Sequence, residues 1–484
     1  MIVRSTLAAL AAMSSACINL HSVSVAPPRA PSTFLASVDA KDADPHPAAV
    51  AQVTNPSDVW WSVFADPLLD AAIQEAYRNN YLIRDTRGLI YENLLDPNLP
   101  QGWWWPLQIG ILAPAGIQHL DVNLLPTPGV PVDYNAANLD VGATYQLDAS
   151  GLLAAQRRVG VNLSEQQRQL VEARVQDVAV QITQLWFDIL QTRQLRELTL
   201  TQIKYNQDLF DLVKARFDQH LTPRLVVLQQ QQLLLSLQAQ VPLITARIAL
   251  YNSQLKMILG RTPNPLDDLV PQDRKLPDLP PQPGIGKPDD LNANAPEMRY
   301  AKLRVEEIHH RISQNRAAYL PTINLQASIG LSTLAAHSED LGKTVQRDEI
   351  VGITLTWPIF DGKRITETKQ LPLTLHRREL QYDLAMKTTV GRVQDAMVQE
   401  TNQATSLTNL RAQVELGQQL LAEARHLFEQ GQSDYLPVLA ALNNLTDLER
   451  ASLLAQRLLL NDRVELYRSL GGNWSYNVTT LQER

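Results

Sequence analysis

Two long stretches of the chain place apolar residues at alternating spacings of four and three. In residues 155–218 the apolar seam consists of Val171, Val175, Val178, Ile182, Leu185 and Ile189. Residues 364–430 carry the same kind of seam at Leu407, Leu410, Val414 and Leu421. Heptad spacing of this kind predicts two long helices. The first alone would be roughly 95 Å long at 1.5 Å per residue, far beyond an ordinary globular helix.

Each long helix is followed by a short turn, and the two turns are copies of each other. The first reads RFDQHLTPRLVVL over residues 216–228, and the second reads LFEQGQSDYLPVL over residues 427–439. Phe217 matches Phe428 at an offset of 211 residues, which the rest of the turn keeps. We therefore expect two helical hairpins, one in each half of the chain.

Residues that end and start helices mark both turns. Gly431 suits the left-handed conformation that closes a helix, whereas His220 holds that place in the first turn. Thr222 in the first turn and Ser433-Asp434 in the second are expected to cap the returning helices with a hydroxyl or a carboxylate. Both returning helices are expected to end at a Leu-Gly pair.

Four segments show a partial alternation of apolar and polar residues that is typical of strands. They are residues 107–113, 138–147, 322–330 and 350–357. Each is long enough to cross a bilayer as a tilted strand. Aromatic residues lie at the ends, as in the girdle of an outer-membrane barrel, at Trp103, Trp104, Trp105, Tyr145, Tyr319 and Trp357. The loops at 114–135 and 333–347 are rich in Pro, Asp and Ser and are expected to be exposed.

The four strands have two open interpretations, which are ordinary half-buried hairpins or membrane strands. Lipid tolerates no open sheet edge, and four strands alone cannot close a barrel. A membrane interpretation therefore requires several chains that share one barrel.

The N-terminal parts of the two halves also match. In each half an arginine lies 22 residues before the proline that precedes the strands, at Pro106 and at Pro321. The first copy differs because Pro97 and Pro100 interrupt what should be helix, so we expect a break there.

The prediction for the whole chain is an internal twofold repeat. The first helix of the first copy is expected to start with Asp66 as its N-cap and Pro67 at its first position. The predicted segments are a signal peptide at 1–16, an extended arm at 17–58, the first repeat at 59–260, a linker at 261–290, the second repeat at 291–471 and a tail at 472–484.

The N-terminus has the features of a secretion signal. A positive start, a short apolar stretch and a small-residue cleavage site precede Cys17, the only cysteine among 484 residues. Cleavage before Cys17 would produce a lipoprotein with a lipidated thiol. Ser14 stands where the lipoprotein motif usually has Leu, so a plain secreted N-terminus is the alternative. No later apolar run of about 18 residues is expected to form a membrane helix.

Composition and motif content argue against several classes of function. A net charge of −7 and a pI of about 5.8 argue against a nucleic-acid-binding protein. A single cysteine excludes disulfides within the chain and cysteine-based metal sites. The sequence carries no nucleophile–base–acid set, phosphate loop or zinc motif. We therefore predict no enzyme, no catalytic residue, no metal and no cofactor.

The order and duplication of these features resemble the TolC-type outer-membrane factors, and among them the OprM/NodT-like lipoprotein branch. The matching residues include Trp60-Trp61 before Asp66-Pro67, the strand exits at 145–148 and 357–362, and the two turns. The resemblance implies a mainly α fold with a membrane β-barrel portion. Three chains, each giving four strands, would form a 12-stranded barrel that a long periplasmic α-helical barrel continues.

The resemblance also implies a passive exit duct of a tripartite efflux system, lipid-anchored in the bacterial outer membrane and extending into the periplasm. The implied partners are two further copies in a homotrimer, a periplasmic adaptor (membrane fusion) protein, an inner-membrane pump of the RND type and outer-membrane lipid. Drugs or other small toxic molecules are the expected substrates, with type I protein secretion or metal efflux as alternatives. A periplasmic coiled-coil scaffold and a lipid-anchored binding protein are alternatives from other classes, which the duplication and the strand pairs disfavour.

In this family the helical turns form the periplasmic mouth, where the adaptor's hairpins dock. The residues expected to dock are Gln219, His220, Leu221 and Thr222 in the first turn and Gln430, Gly431, Gln432 and Ser433 in the second. A turn of small residues leaves grooves that a partner's helix tip can enter, although helix capping alone would also explain these residue types.

Two acidic residues shortly before the turns are candidates for a gate. If Asp211 and Glu423 converge between copies, their carboxylates repel each other and attract cations. The alternative is that both lie on an ordinary solvated helix face.

Overall fold

The computed structural model of the chain is mainly helical, with one antiparallel sheet. It describes residues 25–34, 59–95, 104–113, 115–122, 130–264, 268–336 and 344–471. Its helices are α1 (Pro67–Asn79), α2 (Tyr81–Leu94), α3 (Leu152–Asp218), α4 (Arg224–Ile258), α5 (Leu291–Asn294), α6 (Pro296–Ala317), α7 (Gly362–Glu429) and α8 (Tyr435–Ser469). Its strands are β1 (Leu107–Leu112), β2 (Ala115–Val122), β3 (Val130–Leu147), β4 (Thr322–Ala336) and β5 (Thr344–Thr356).

Contacts divide the chain into two compact units, and each unit takes residues from both halves of the sequence. The strand unit is built from Leu89–Gln166 and Lys302–Leu380. The hairpin unit is built from Pro27–Gly88, Gln167–Ala301 and Gln381–Arg484. The compact units and the predicted repeat are therefore different divisions of the same chain.

The two long helices begin at aspartate caps. The bounds predicted at 155–218 and 364–430 differ from the observed α3 and α7 by three residues at most, which confirms both helices. The Asp148 carboxylate accepts two bonds of 2.9 Å from first-turn amides of α3. Asp361 accepts a bond of 3.0 Å from a first-turn amide of α7. Because the first amides of a helix have no partner inside it, these carboxylates fix each strand-to-helix junction.

The sheet has four strand positions, as predicted. β3 and β4 pair at its centre, and β5 pairs with the other side of β4. β1 and β2 lie end to end along the outer side of β3, with Leu112 opposite Asp140 and Ala115 opposite Ala137. The two strands therefore share one register against β3 and occupy a single strand position of the sheet.

The loops predicted at 114–135 and 333–347 are shorter in the structure, and this part of the prediction was wrong. β2 and the start of β3 occupy much of the first segment. β4 continues to Ala336 and β5 begins at Thr344, inside the second segment. A ladder uses backbone groups that every residue except proline supplies, so a composition rich in Asp and Ser did not reveal these strand ends.

The two faces of the sheet differ in polarity. Directly opposite residues of paired strands share a face, so the register places the odd-numbered residues of 107–111, 139–147, 323–331 and 351–355 together. This apolar face includes the exposed side chains of Ile109, Ile111, Val141, Ile329 and Ile353. The opposite face carries mostly polar residues and glycine, including Gln108, Thr144, Asn324, Gln326 and Thr354. This pattern is typical of a barrel wall with lipid on one side and water on the other.

The helices that precede the sheet differ between the two halves. α2 ends at Leu94, three residues before Pro97, whereas its counterpart α6 runs for 22 residues to Ala317. An end before the prolines agrees with the predicted break. Residues 96–103 themselves lie outside the described residues.

The hairpin unit has an aromatic core beneath α1. Trp60 stacks on Tyr467 with ring centroids 5.8 Å apart. Asp66 is the N-cap of α1, as predicted, and accepts from the amide of Leu68 at 3.1 Å. Its second oxygen accepts from Trp186 Nε1 at 3.0 Å, so the cap also ties α1 to α3.

Residues 268–290 lie along the helices of the hairpin unit. Arg193 donates to the carbonyl oxygens of Val270 and Pro271 at 2.7 and 2.8 Å. The buried Arg463 forms an ion pair with Glu400 and also donates to a carbonyl of this segment. Guanidinium groups thus hold the segment through its backbone. The domain boundaries at 261 and 290 stay a prediction.

Within the described residues, α4 is the one helix long and apolar enough to cross a membrane. Its most apolar 18-residue window has a mean hydropathy of 1.5 and is 22% buried. Polar residues such as Gln238, Gln240 and Arg247 interrupt this helix, so it does not contain the continuous apolar run of about 18 residues whose absence was predicted. Length and composition are weak evidence for a span, because a helix that packs in an assembly can share both.

Candidate functional site

The two helical turns have the same backbone structure. The amide of His220 donates to Phe217 O at 2.9 Å, and the next amide donates to Arg216 O at 2.9 Å. In the second turn Gly431 donates to Phe428 O at 3.0 Å, and the next amide reaches the residue before Phe428 at 2.9 Å. Both patterns are Schellman motifs, in which the closing residue is left-handed. The φ angle is 61° at His220 and 71° at Gly431.

The predicted caps of the returning helices are absent, and that expectation was wrong. Pro223 and Asp434 occupy the N-cap positions of α4 and α8, and neither makes a side-chain capping bond. Ser433 Oγ donates instead to the Asp434 carbonyl at 3.2 Å. A proline at the cap has no polar side chain, and it displaces Thr222 to one residue outside the helix. The side chains of the turns therefore make no capping bonds to the returning helices.

Most of the residues proposed to dock a partner are exposed. Leu221 has 65% of its surface exposed, although it is apolar. The other exposed members are Gln219, His220, Gln430, Gly431 and Gln432, while Thr222 and Ser433 are half-buried. An exposed leucine between polar amides is compatible with a docking tip. The docking role itself stays a prediction.

A side chain from the first turn binds the second turn. Arg216 donates to the carbonyl oxygen of Phe428 at 2.6 Å. Its guanidinium carbon lies 4.4 Å from the centroid of the Phe428 ring, which adds a cation–π contact. The same ring packs edge-on against Tyr435 at 5.4 Å, above a buried cluster that includes Val213 and Val438. The two turns of one chain therefore share a single core.

A chain of buried polar groups continues from this core. The hydroxyl of Tyr435 donates to Gln230 Oε1. The amide nitrogen of Gln230 donates to the main-chain and side-chain oxygens of Asn206 at 3.0 and 3.1 Å. Gln230 and Asn206 are fully buried. Burial, followed by the nearby Tyr205, raises the pKa of Tyr435, so its hydroxyl remains a donor at neutral pH.

The sequence did not single out these linking residues. At the 211-residue offset Arg216 matches Leu427, and Tyr435 matches Arg224. Gln230 likewise matches an alanine. The prediction relied on positions at which the two copies agree. At these three positions the copies differ in polarity, and that difference marked contacts between them.

The two gate candidates both lie on exposed helix faces. Asp211 accepts from Gln207 Nε2 at 3.1 Å, one turn earlier on α3. Leu209 and Val213 beside it are buried in the shared core. Glu423 is exposed on α7, next to the buried Ala424. Both carboxylates thus point away from the core, and their convergence between copies stays a prediction.

Two further predictions concern the N-terminus and metal binding, away from the turns. Cys17 and the signal segment 1–16 lie outside the described residues. Among the residues that the structure places, no group of three or more His, Asp or Glu side chains could hold a metal ion.

The chain matches known protein families over most of its length. A family model described as outer membrane efflux protein matches residues 104–261 and 288–472. The chain is 27% identical over 424 residues to the solvent efflux pump outer membrane protein SrpC of Pseudomonas putida, covering 85% of this chain and 87% of that one. It is 24% identical over 435 residues to the pyoverdine export outer membrane protein OpmQ of Pseudomonas aeruginosa, covering 86% and 87%.

Solved structures share the fold at lower identity. The outer-membrane channel OprN superposes with a TM-score of 0.74 at 19% identity, covering 93% of this chain and 98% of that one. The Campylobacter jejuni CmeC outer membrane channel superposes with a TM-score of 0.71 at 17% identity, covering 95% and 97%. These channels have the TolC-type fold predicted above. Because the family model covers well over half of the residues, the chain belongs to the outer membrane efflux protein family.

Proposed function

We propose that this chain forms, as a homotrimer, the outer-membrane exit duct of a tripartite efflux system. The observation that carries the proposal is the sheet, which has an apolar face, a polar face and two unpaired edges. The outer sides of β1–β2 and of β5 have no partner strand within the described residues. Lipid does not tolerate such edges, so copies must pair with one another. Three copies with four strand positions each give a barrel of about twelve strands, within the range of membrane barrels.

The hairpin unit carries a second surface that further copies would cover. α4 exposes an apolar seam at near-heptad spacing, in which every side chain is at least half exposed. The seam consists of Leu228, Leu235, Leu243, Leu250 and Met257. Seams of this spacing pack against a neighbouring helix in coiled coils. The seam supports a helical barrel formed between chains.

The duct is passive and performs no catalysis in this proposal. Transport energy comes from an inner-membrane pump of the RND type, joined to the duct by a periplasmic adaptor. The substrates are small toxic molecules, since relatives are named for solvent and toluene efflux and for pyoverdine export. Type I protein secretion and metal efflux remain the alternatives within the duct class.

The direct test of the duct is current through the purified full-length protein in a planar bilayer. We expect stepwise ion conductance once the turns are loosened by Arg216→Gln. The Arg411→Gln variant changes an exposed arginine of α7 outside the turn contacts and serves as the control. Absence of conductance from every correctly assembled sample would contradict a duct.

The turns are the proposed docking site of the adaptor. Leu221→Arg combined with Gln432→Arg places two charges on exposed side chains without touching a left-handed residue. We expect loss of adaptor capture and of drug resistance, with unchanged amounts of assembled protein. Ser236→Arg, exposed on α4 away from the turns, is the control. Normal capture by the double variant would rule out docking at this site.

The proposed gate consists of Asp211 and Glu423 near the turns. Asp211→Asn combined with Glu423→Gln removes two carboxylates per chain without changing side-chain size. We expect the preference for cations over anions in bilayer recordings to fall. Unchanged selectivity would leave both residues as ordinary surface groups.

Cys17 is the proposed lipid attachment site. Cells grown with radioactive palmitate should label the wild-type protein, and Cys17→Ser should abolish the label. Labelling of the serine variant would contradict attachment at this residue.

A further inference from the structure

We infer that the strand unit holds a binding site for an anionic glycerophospholipid headgroup, in a cleft where the sheet meets the helices. The cleft has a volume of about 770 Å³. Its walls are Tyr145 and Leu147 at the end of β3, Arg157 and Arg158 on α3, and His310 on α6. The inference goes beyond the duct and rests on one part of that proposal, the placement of the apolar face in the bilayer.

The cleft begins where the apolar face ends. Tyr145 and Leu147 are the last apolar-face residues of β3, opposite Leu325 and Ile323 of β4. An acyl chain lying on the apolar face would therefore lead directly into the cleft. Lipid in this position would bury its chain against the sheet and present its headgroup to the helices.

Aromatic side chains mark this end of the sheet as the membrane interface. Trp104, just before β1, is 55% exposed, and Trp357, just after β5, is 61% exposed. The Trp357 indole donates to the carbonyl of Tyr319, which precedes β4, at 3.2 Å. Tryptophan and tyrosine concentrate at the headgroup level of membrane barrels. The cleft is therefore at headgroup depth.

The position of the two arginines agrees with this depth. α3 begins at Leu152, so Arg157 lies five residues, or about 7.5 Å, along the helix. A bilayer has about 30 Å of hydrocarbon and about 40–45 Å with its headgroups, which leaves roughly 5–7 Å for each headgroup layer. The guanidinium groups of Arg157 and Arg158 can therefore reach a lipid phosphate. Both residues are exposed, and neither has an ion pair within the described part of the chain.

The cleft has three acidic side chains, Asp148, Glu165 and Glu306, and each makes a contact of its own. Glu165 is half-buried and has a partner. The Asp148 carboxylate is bonded to two amides of α3. Glu306 lies 3.9 Å from Lys302, and burial raises the pKa of its carboxyl. Burial and the nearby Arg158 lower the pKa of His310, so that ring is neutral at pH 7. The arginines remain the groups that can bind an anion.

Most walls of the cleft come from elements next to the middle of the sheet. α3 and α6 connect to β3 and β4, which are the two central strands, while Pro106 precedes the edge strand β1. The second repeat does not carry the same arginine pair, since Gln370 and Leu371 follow Asp361 at the distance at which Arg157 and Arg158 follow Asp148.

Native mass spectrometry of the full-length protein in detergent tests the site. The probe is dioleoyl phosphatidylglycerol, compared with dioleoyl phosphatidylcholine, which has no net charge. We expect phosphatidylglycerol to bind the wild type more tightly, by about 30-fold for two interfacial arginines. Arg157→Gln combined with Arg158→Gln should remove this preference, whereas the Arg157→Lys, Arg158→Lys variant should keep most of it. If the glutamine variant fails to assemble, the lysine variant still tests the site, because it should keep most of the preference for phosphatidylglycerol.

Arg377→Gln combined with Arg411→Gln is the matched control, because it removes two exposed arginines of α7 further from the strands. The control should keep the preference. A wild type that binds both lipids equally, or a glutamine variant that still prefers phosphatidylglycerol, would overturn the inference. Displacement of the lipid by millimolar inorganic phosphate would also overturn it, since the site would then be a small-anion site. Bilayer conductance of the same variants, each also carrying Arg216→Gln, separates failure of this site from failure of the duct.

Discussion

His220 is a residue held in a conformation that its side chain disfavours. Its φ of 61° lies in the left-handed region, which glycine adopts freely and other residues adopt at a cost. Gly431 fills the same place in the second turn without that cost. The imidazole is exposed, so packing does not explain its presence.

Replacing His220 by glycine should therefore stabilise the first turn. We expect His220→Gly to raise the free energy of unfolding by about 1 kcal/mol, since the left-handed penalty is about 1–2 kcal/mol per residue. The thermal midpoint of the purified protein measures the change. Gln219→Gly, one residue earlier, should lower the midpoint. A lower midpoint for His220→Gly would mean that the imidazole makes a stabilising contact in the assembled protein.

The glycines that end the returning helices have a stricter requirement. Gly260 has a φ of 77°, and a Cβ there would overlap the backbone of Asn79. Gly471 has a φ of 84°, and its Cβ would lie 2.8 Å from the carbonyl carbon of Asn294. Conformation and close approach therefore both require glycine.

Gly260→Ala should destabilise the hairpin unit by about 2–3 kcal/mol, from left-handed strain together with the overlap. Gly391→Ala in α7 is the control, because a Cβ there meets nothing within 4 Å. Alanine favours helix over glycine, so the control should gain about 1 kcal/mol. Thermal melts followed by circular dichroism compare the two. Equal changes in the melting temperature of the two variants would show that the close approach of Asn79 does not require glycine at position 260.

At the scale of elements, the two faces of the sheet can be compared directly, because neighbouring residues of one strand face lipid and water in turn. Ile329 belongs to the apolar face near the middle of β4, while Ser328 belongs to the polar face. Ile329→Arg should cost about 2–4 kcal/mol if its face meets lipid. Ser328→Arg should be tolerated, since its face meets water. The amount of heat-resistant oligomer in outer membranes is the measurement, and equal yields would contradict the assignment of faces.

The long helices and the strand positions were predictable because their signals are local. Heptad seams fixed α3 and α7 to within three residues. The central strands also showed their alternation. The outer ends of β3, β4 and β5 were not predictable, because backbone pairing rather than side-chain pattern defines them.

The contacts at the turns were only partly predictable, for a related reason. The left-handed positions His220 and Gly431 follow from the repeat. The hydrogen bond from Arg216 to Phe428 joins residues that are 212 positions apart in the sequence, and no local pattern predicts such a contact. The expected caps failed for different reasons in the two turns. Pro223 occupies the cap position of α4 and leaves Thr222 outside the helix, whereas Asp434 occupies the cap position of α8 without making a capping bond.

At the scale of the whole molecule, we propose that one chain supplies only part of a barrel wall. The sheet leaves two edges unpaired within the described residues, and α4 leaves an apolar seam uncovered. Both features are unstable for a single copy in lipid and water. They are explained together if identical chains close a barrel around a common axis.

The mass of the assembled full-length protein shows whether three chains form the barrel. Native mass spectrometry after release from a mild detergent reports how many chains remain together. We expect a species of three chains, which Ile329→Arg reduces and Ser328→Arg does not. A stable species of one or two chains, with the sheet intact by circular dichroism, would contradict it.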